Sequence, residues 1–296
     1  MLGGVRGSAR PAHRIEAIAR IRDTIPAFEA YARKAGLESP LRRELLWKDH
    51  YQAANSDVFK AFEEATGPPG GGMAAMVKEL SDIRKRVREA APLMTEIIEE
   101  LDPELGELLG LPPEPSPVHV LMVGTFSTNA VVARLGDDVA VFHCLEWFQT
   151  AEGTRVLVAH EGSHGWHELA LERAGLRPPT DDMAWMVFSE GFATQVSRAA
   201  VPEAEEIDYF WYGHPEAQDW LPWCQQHIQE LRKHVLMSLD IPEAIETFFG
   251  GGLVDGKWRV GYYLADQVVG SLGRSLPELA ALSVDEARSA VRDALS

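Results

Sequence analysis

The chain has 296 residues, 46% hydrophobic and 25% charged, the composition of a globular protein of one or two domains with a sizeable core. Its formal net charge of −17 argues against nucleic acid as a partner, since phosphate backbones repel so acidic a surface. There is no run of about 18 apolar residues to span a membrane, no apolar core of a signal peptide after Met1, and no Cys-x-x-Cys pair around Cys144 or Cys224, so a cytoplasmic protein with reduced, buried thiols is expected.

From 14 to 109 the pattern is helical, with Ile15, Ile18, Ile21 and Ile25 recurring at three- and four-residue spacing. The run Thr66-Gly67-Pro68-Pro69-Gly70-Gly71-Gly72 interrupts it. Without a Gly-Lys-Ser/Thr ending this run reads as a connector, not a phosphate-binding loop, and a further helix is predicted over 73–100. Leu111-Pro112-Pro113-Glu114-Pro115-Ser116-Pro117 closes an N-terminal helical region, 1–110, and opens a second region, 111–296. Residues 118–123 read as a strand, and 130–135 with 139–142 as a hairpin around Gly136-Asp137-Asp138. A helix follows Gly153, with Thr154 as its N-cap and Gly175 and Pro178-Pro179 as its end. Thr180-Asp181-Asp182 starts the next helix, which runs through Met183 to about Ala200. Later helices are predicted over 216–239, 241–249, 258–273 and 284–295. Capping-box signals stand at Asp240 with Glu243, Ser275 with Glu278, and Ser283 with Glu286. The fold class is therefore α+β and mostly α-helical, a small antiparallel sheet preceding the helix that carries the chemistry, with helical N- and C-terminal regions.

That chemistry rests on His160-Glu161-Gly162-Ser163-His164. Histidines four apart share one helix face, so both rings can grip one metal ion, and the intervening glutamate can reach a water on it. Residue frequencies give such a string about 0.03 chance of arising anywhere in this chain. Gly162 and Gly165 each cost a helix about 1 kcal/mol against alanine, which points to a close approach by another group. A catalytic zinc takes three protein ligands and keeps one position open. The extended motif His-Glu-x-x-His-x-x-Gly-x-x-His is absent, its last two marked positions being His167 and Ala170. Glu190 is the one carboxylate in the apolar stretch from Met183 to Ala193, and an acid buried there needs a partner. It is the expected third ligand. Asp181 and Asp182 read as helix caps, Glu168 and Glu172 as solvated, and His167, which could approach the metal, as a surface or supporting group before a ligand.

His160-Glu161-x-x-His164 followed by Glu190-Gly191-x-Ala193 resembles the gluzincin class of zinc metallopeptidases, the thermolysin-like clan. Glu190-Gly191-Phe192-Ala193-Thr194 and Arg259-Val260-Gly261-Tyr262-Tyr263-Leu264 are similar to strings in a group of bacterial zinc-dependent proteases of unknown substrate. The resemblance covers about 118–270, a span of the size of one domain. It implies Zn2+ held by His160, His164 and Glu190, Glu161 as general base, and an outer strand that holds an extended peptide. Thr194 departs from the pattern, because thermolysin-like enzymes carry there an acidic partner for a zinc histidine.

The reaction implied is hydrolysis of a peptide bond, with the oxyanion stabilised by Tyr262 or Tyr263, and His227 a weaker candidate. The alternative keeps the zinc and changes the substrate to a small non-peptide metabolite, cleaved by a hydrolase or lyase. A third reading, a metal-stabilised binding module, is disfavoured because structural zinc sites mostly use cysteines. Gly162-Ser163-His164-Gly165 lacks the first glycine of a serine nucleophile elbow, and neither cysteine has a signalled histidine partner. Tyr209-Phe210-Trp211-Tyr212 with Trp220 and Trp223 reads as core before substrate pocket.

Overall fold

The computed structural model describes residues 19–68, 72–215 and 219–296. The chain runs through β1 (Arg20–Asp23), α1 (Ile25–Ala35), α2 (Pro40–Leu46), a π-helical stretch (Trp47–Gln52), α3 (Ser56–Thr66), α4 (Gly72–Lys78) and α5 (Leu80–Leu108). Ile15, Ile18, part of the Pro-Gly connector and the start of the helix expected at 216 lie outside the described residues. Ile21 corrects the helical reading of 14–109, since it sits in β1, which pairs in parallel with residues 118–121. Local spacing carries no record of a strand partner so distant in sequence. The helix expected over 73–100 is instead two, and the second continues to Leu108 through Pro92 and Pro103. Its buried stripe of Ile83, Val87, Ala90, Met94, Ile98, Leu101 and Leu105 explains the extension: packing outweighs the backbone donors lost at each proline.

Next come β2 (Val118–Met122), β3 (Ala130–Leu135) and β4 (Asp138–Cys144). The strand order is β1-β2-β4-β3, with β3 at the outer edge. The hairpin β3–β4 is antiparallel, as read from its turn, but β1–β2 and β2–β4 are parallel, so the sheet is mixed. The fold class is α+β and mostly helical. Alternation along β4 divides the two faces. Phe142 meets Phe62 of α3, with ring centroids 6.0 Å apart, while Val141 and His143 face α5 and the helix that follows. Both faces are thus covered, and β2 and β4 are buried almost throughout. The core is continuous from α1 to the last helix and crosses the break at 111–117.

The helix after β4, α6 (Ala151–Arg173), is capped by Thr150, whose Oγ1 accepts from Gly153 N; the expected cap, Thr154, donates its hydroxyl to the Thr150 carbonyl instead. Val156, Leu157, Val158 and Ala159 are all buried, so this helix has little solvent face and runs through the centre. Beneath it four elements are tied by buried polar groups. Asp102 of α5 accepts from Trp166 Nε1 of α6 at 2.8 Å and bonds His119 Nε2 of β2 at 3.1 Å, and His119 Nδ1 bonds His143 Nε2 of β4 at 3.0 Å. Burial holds His143 neutral, with its pKa well below the usual histidine value.

α7 (Met183–Ala200) returns beside α6, its first turn capped by Asp182 through Trp185 N. α8 (Asp208–Trp211), α9 (Trp220–Ser238), α10 (Ala244–Phe248), a short hairpin of β5 (Leu253–Val254) and β6 (Lys257–Trp258), α11 (Val260–Gly270), α12 (Leu276–Ala280) and α13 (Val284–Leu295) complete the chain. Capping boxes form at Ser275 and Ser283. None forms at Asp240, because α10 starts later, at Ala244. α7 and α11 are the most intimate pair. Asp266 of α11, 1% exposed, accepts from Arg198 and Gln195 of α7, and Gly191 lets the two backbones touch. A Cβ at Gly191 would lie 2.2 Å from the Ala265 carbonyl oxygen. No helix among the described residues is long and apolar enough to cross a membrane. Cys144 and Cys224 are free and buried, and burial pushes the Cys224 thiol up to about 12.

Two predictions follow from this packing. Gly191→Ala should lower the unfolding free energy by about 3 kcal/mol, because a backbone carbonyl cannot move aside as a flexible side chain would. Urea denaturation of the variant with undiminished stability would refute the close approach. The second concerns Glu146, fully buried after β4, whose carboxyl accepts from Gly124 N at 2.9 Å and Phe126 N at 3.2 Å. Burial pushes its pKa up to about 7, against the pull of those amides. The folded value exceeds the unfolded one, so folding favours the protonated acid. That contribution is complete below about pH 4 and is lost as pH rises through 7. Between pH 5 and 8 the unfolding free energy of Glu146→Gln should fall less than that of the parent, by about 2 kcal/mol. Parallel pH profiles of the two proteins would contradict this.

Candidate metal centre

Three side chains converge where α6 and α7 run side by side. His160 and His164 lie one turn apart on α6, with ring centroids separated by 5.0 Å. Glu190 of α7 brings Oε2 to 3.1 Å from His160 Nε2 and 3.6 Å from His164 Nε2. Donor atoms of a tetrahedral zinc site with bonds of about 2.0–2.1 Å stand about 3.3 Å apart, so both distances suit one shared ion. Among the described residues this is the one group of three His, Cys, Asp or Glu whose ligand atoms lie within 4.8 Å of one another. Two imidazoles and a carboxylate also match the chemistry of a site that keeps a position open. His160 is buried, but the His164 and Glu190 side chains retain 17% and 14% exposure, so the cluster opens on one side.

The electrostatics agree with a demand for positive charge at this point. Burial pushes the Glu190 carboxyl up, yet His164 and His160 together hold it well below the usual carboxylate range. Burial pulls His164 down, and Glu190 more than reverses this. The field of Glu190 favours positive charge on His164, and a metal ion bound by neutral imidazoles would supply that charge at the same point. The next residue on α6, Glu161, has its carboxyl raised by burial against the pull of His160 and His164. A carboxylate shifted that way is a stronger proton acceptor.

Ser189 sets the orientation of one ligand. Its Oγ lies 3.3 Å from His164 Nδ1, so it can accept a hydrogen bond from Nδ1–H in the tautomer whose Nε2 is free to bind a metal ion. Thr194 does not serve either histidine. Its hydroxyl donates to the Glu190 carbonyl at 2.9 Å within α7. His160 Nδ1 is buried with no hydrogen-bond partner, and its ring rests on Tyr212 and Tyr262, at 5.7 and 6.3 Å between centroids.

Of the two tyrosines expected near the oxyanion, Tyr262 lies beside the cluster, in the field of Glu190. Tyr263 does not. It points into the core against Phe210 and Trp220, because neighbours on a helix face about 100° apart. His227 is also elsewhere, stacked on Trp223 of α9 at 4.3 Å. His167 is neither a ligand nor a surface group. It is 2% exposed between Trp185 and Phe192, and burial, then His164, pushes it down to about 3. The two glycines of the motif serve packing. A Cβ on Gly162 would lie 2.7 Å from Leu105 of α5, and one on Gly165 would lie 2.9 Å from Val141 of β4. Glu172 pairs with Arg134 at 2.6 Å, and Asp182 adds Arg288 at 2.6 Å to its capping bond.

Three side chains of the site have no role assigned from the sequence: Ser189, Tyr212, whose aromatic run reads as core before pocket, and Arg259, which opens the string that holds Tyr262. Tyr212 is at a left-handed position, φ 54°, after α8, and Arg259 is at another, φ 55°, before α11. Both positions are irregular backbone, where no periodic pattern can mark them. The aromatic run reads correctly as core at Tyr209, Phe210 and Trp220, but its last member, Tyr212, turns its buried hydroxyl toward the site without a partner.

Ser189→Ala should weaken zinc binding about tenfold while leaving the fold intact, since it removes the group that orients His164. A competitive chelator titration that finds equal affinities would remove Ser189 from the site. Comparison with protein-family models, curated proteins and solved structures gives no match, so the chemistry of this centre is read from its own side chains.

Proposed function

We propose that the chain is a zinc-dependent hydrolase of peptide bonds, with Glu161 as its general base. The observation that carries this reading is the convergence of His160, His164 and Glu190 beside a carboxylate whose proton affinity is raised. A zinc ion at this position supplies Lewis acidity, which polarises a carbonyl and makes water acidic enough to attack near neutral pH. Glu161 removes the proton from the attacking water and delivers it to the departing amine. Tyr262, with its phenol held protonated by burial and by Glu190, is the donor for the developing oxyanion. Tyr263 drops out of that role, because its ring belongs to the core.

The gluzincin resemblance supports the same ligand set through Glu190-Gly191-x-Ala193, and here Gly191 is the point where α7 meets α11. Peptide is favoured over a small non-peptide metabolite by the outer position of β3, whose backbone an extended chain can join as an added strand.

The test is a pair of variants read for metal and for turnover. Glu190→Ala should lose stoichiometric zinc by elemental analysis. Glu161→Gln should keep zinc and lose about 10³-fold in kcat on a peptide library. Full zinc in Glu190→Ala would remove the ligand set, and full activity in Glu161→Gln would remove the general base.

A further inference from the structure

Arg259 stands beside the cluster, in the field of Glu190 and Glu161 but with no counter-ion in direct contact among the described residues. Among the described residues it forms no ion pair within 4 Å, and no side-chain nitrogen of it donates a hydrogen bond. Its Nε is fully buried and unpartnered. The faces of the guanidinium are occupied: it lies 4.1 Å from the Tyr262 ring centroid, 5.8 Å from Tyr212 and 6.0 Å from Trp211. Stacking of that kind fixes the plane and leaves the N–H edge free to bind. The residue also occupies a left-handed backbone position that favours glycine or asparagine, between β6 and the first turn of α11.

Charge balance says what this edge is for. A divalent ion is neutralised by Glu190 and Glu161, and the imidazoles that hold it are neutral. Arg259 therefore leaves the site with one positive charge in excess, in surroundings where an unmatched charge is costly. An oxyanion, a single atom already beside the metal and Tyr262, makes no use of a fork of parallel N–H groups. A carboxylate does, through two of them at once.

We propose that Arg259 binds a free carboxylate of the substrate, so that the site selects peptides cleaved close to their C-terminus. The inference rests on the hydrolase reading for the word "cleaved" and on the unpaired arginine for the rest. The Tyr262 ring centroid stands 4.1 Å from the guanidinium carbon and 6.3 Å from the His160 ring, which puts the guanidinium within about 10 Å of His160; an ion pair takes up part of that, and an extended residue spans about 3.5 Å. The recognised carboxylate thus belongs to the residue next to the scissile bond or to the one after it.

The experiment measures binding without turnover. Glu161→Gln protein loaded with zinc is titrated calorimetrically with N-acetyl-glycyl-phenylalanine and with its C-terminal amide. The acid should bind at least about tenfold more tightly than the amide. Adding Arg259→Gln should bring the acid to the affinity of the amide and leave the amide unchanged, and Arg259→Lys should restore part of the difference. Thermal melts of each variant check the fold. Equal binding of acid and amide, absence of binding by both, a preference that survives Arg259→Gln, or an equal loss for both ligands would each overturn the proposal. The two readings fail separately. A preference for the acid in a protein that hydrolyses no peptide removes the hydrolase and keeps the carboxylate site. Hydrolysis indifferent to the terminal carboxylate does the reverse.

Discussion

A carboxylate on the seam between two largely buried helices, with only 14% of its side chain exposed, is poorly hydrated there, and the architecture around Glu190 answers to that fact. Its charge is met by His160 and His164, which a single turn of α6 presents together. For the match to hold, α6 and α7 must stay in register along their length. The register of α7 is set from its other side by Arg198, Gln195 and Asp266 and by the backbone contact at Gly191. Structural and chemical demands therefore coincide. The same packing that keeps a buried negative charge tolerable also holds three potential ligands at the spacing of one ion.

The central position of α6 has a second effect. A helix with a solvent face can shift on its neighbours. Here Trp166, Gly162 and Gly165 press against α5 and the sheet, and Asp102, His119 and His143 tie those elements together from below. Ligands on such a helix are held by the core itself and not by a loop. The opposite wall is built differently. Tyr212 and Arg259 stand on short left-handed links, so regular helices carry the three potential ligands and irregular backbone carries the groups beside them.

Much of this was legible in the chain. His160, Glu161 and His164 announce themselves by spacing, and Glu190 by being an acid alone in an apolar stretch. The hairpin was visible from its turn and the two C-terminal capping boxes from their serines. What stayed hidden depends on contacts between distant segments. β1 is a strand only because β2 lies beside it. Gly162 and Gly165 signal close approach, but not that Leu105 and Val141 are what approach. Tyr262 and Tyr263 are equivalent as letters, and only the packing of α11 decides which of them meets His160. Arg259 stands in the same string as Tyr262, but its letters do not show its role, which lies in the partners that it lacks.

The two cysteines acquire a use from where they lie. Cys144 ends β4, on the path into α6, and Cys224 sits inside α9, both buried. A thiol reagent reaches either one only when its surroundings open. The chain thus carries two built-in reporters of local unfolding, one on the strand that leads to the His160 and His164 helix and one in the helical layer behind Tyr263. Their relative labelling rates would show which half of the molecule loosens first.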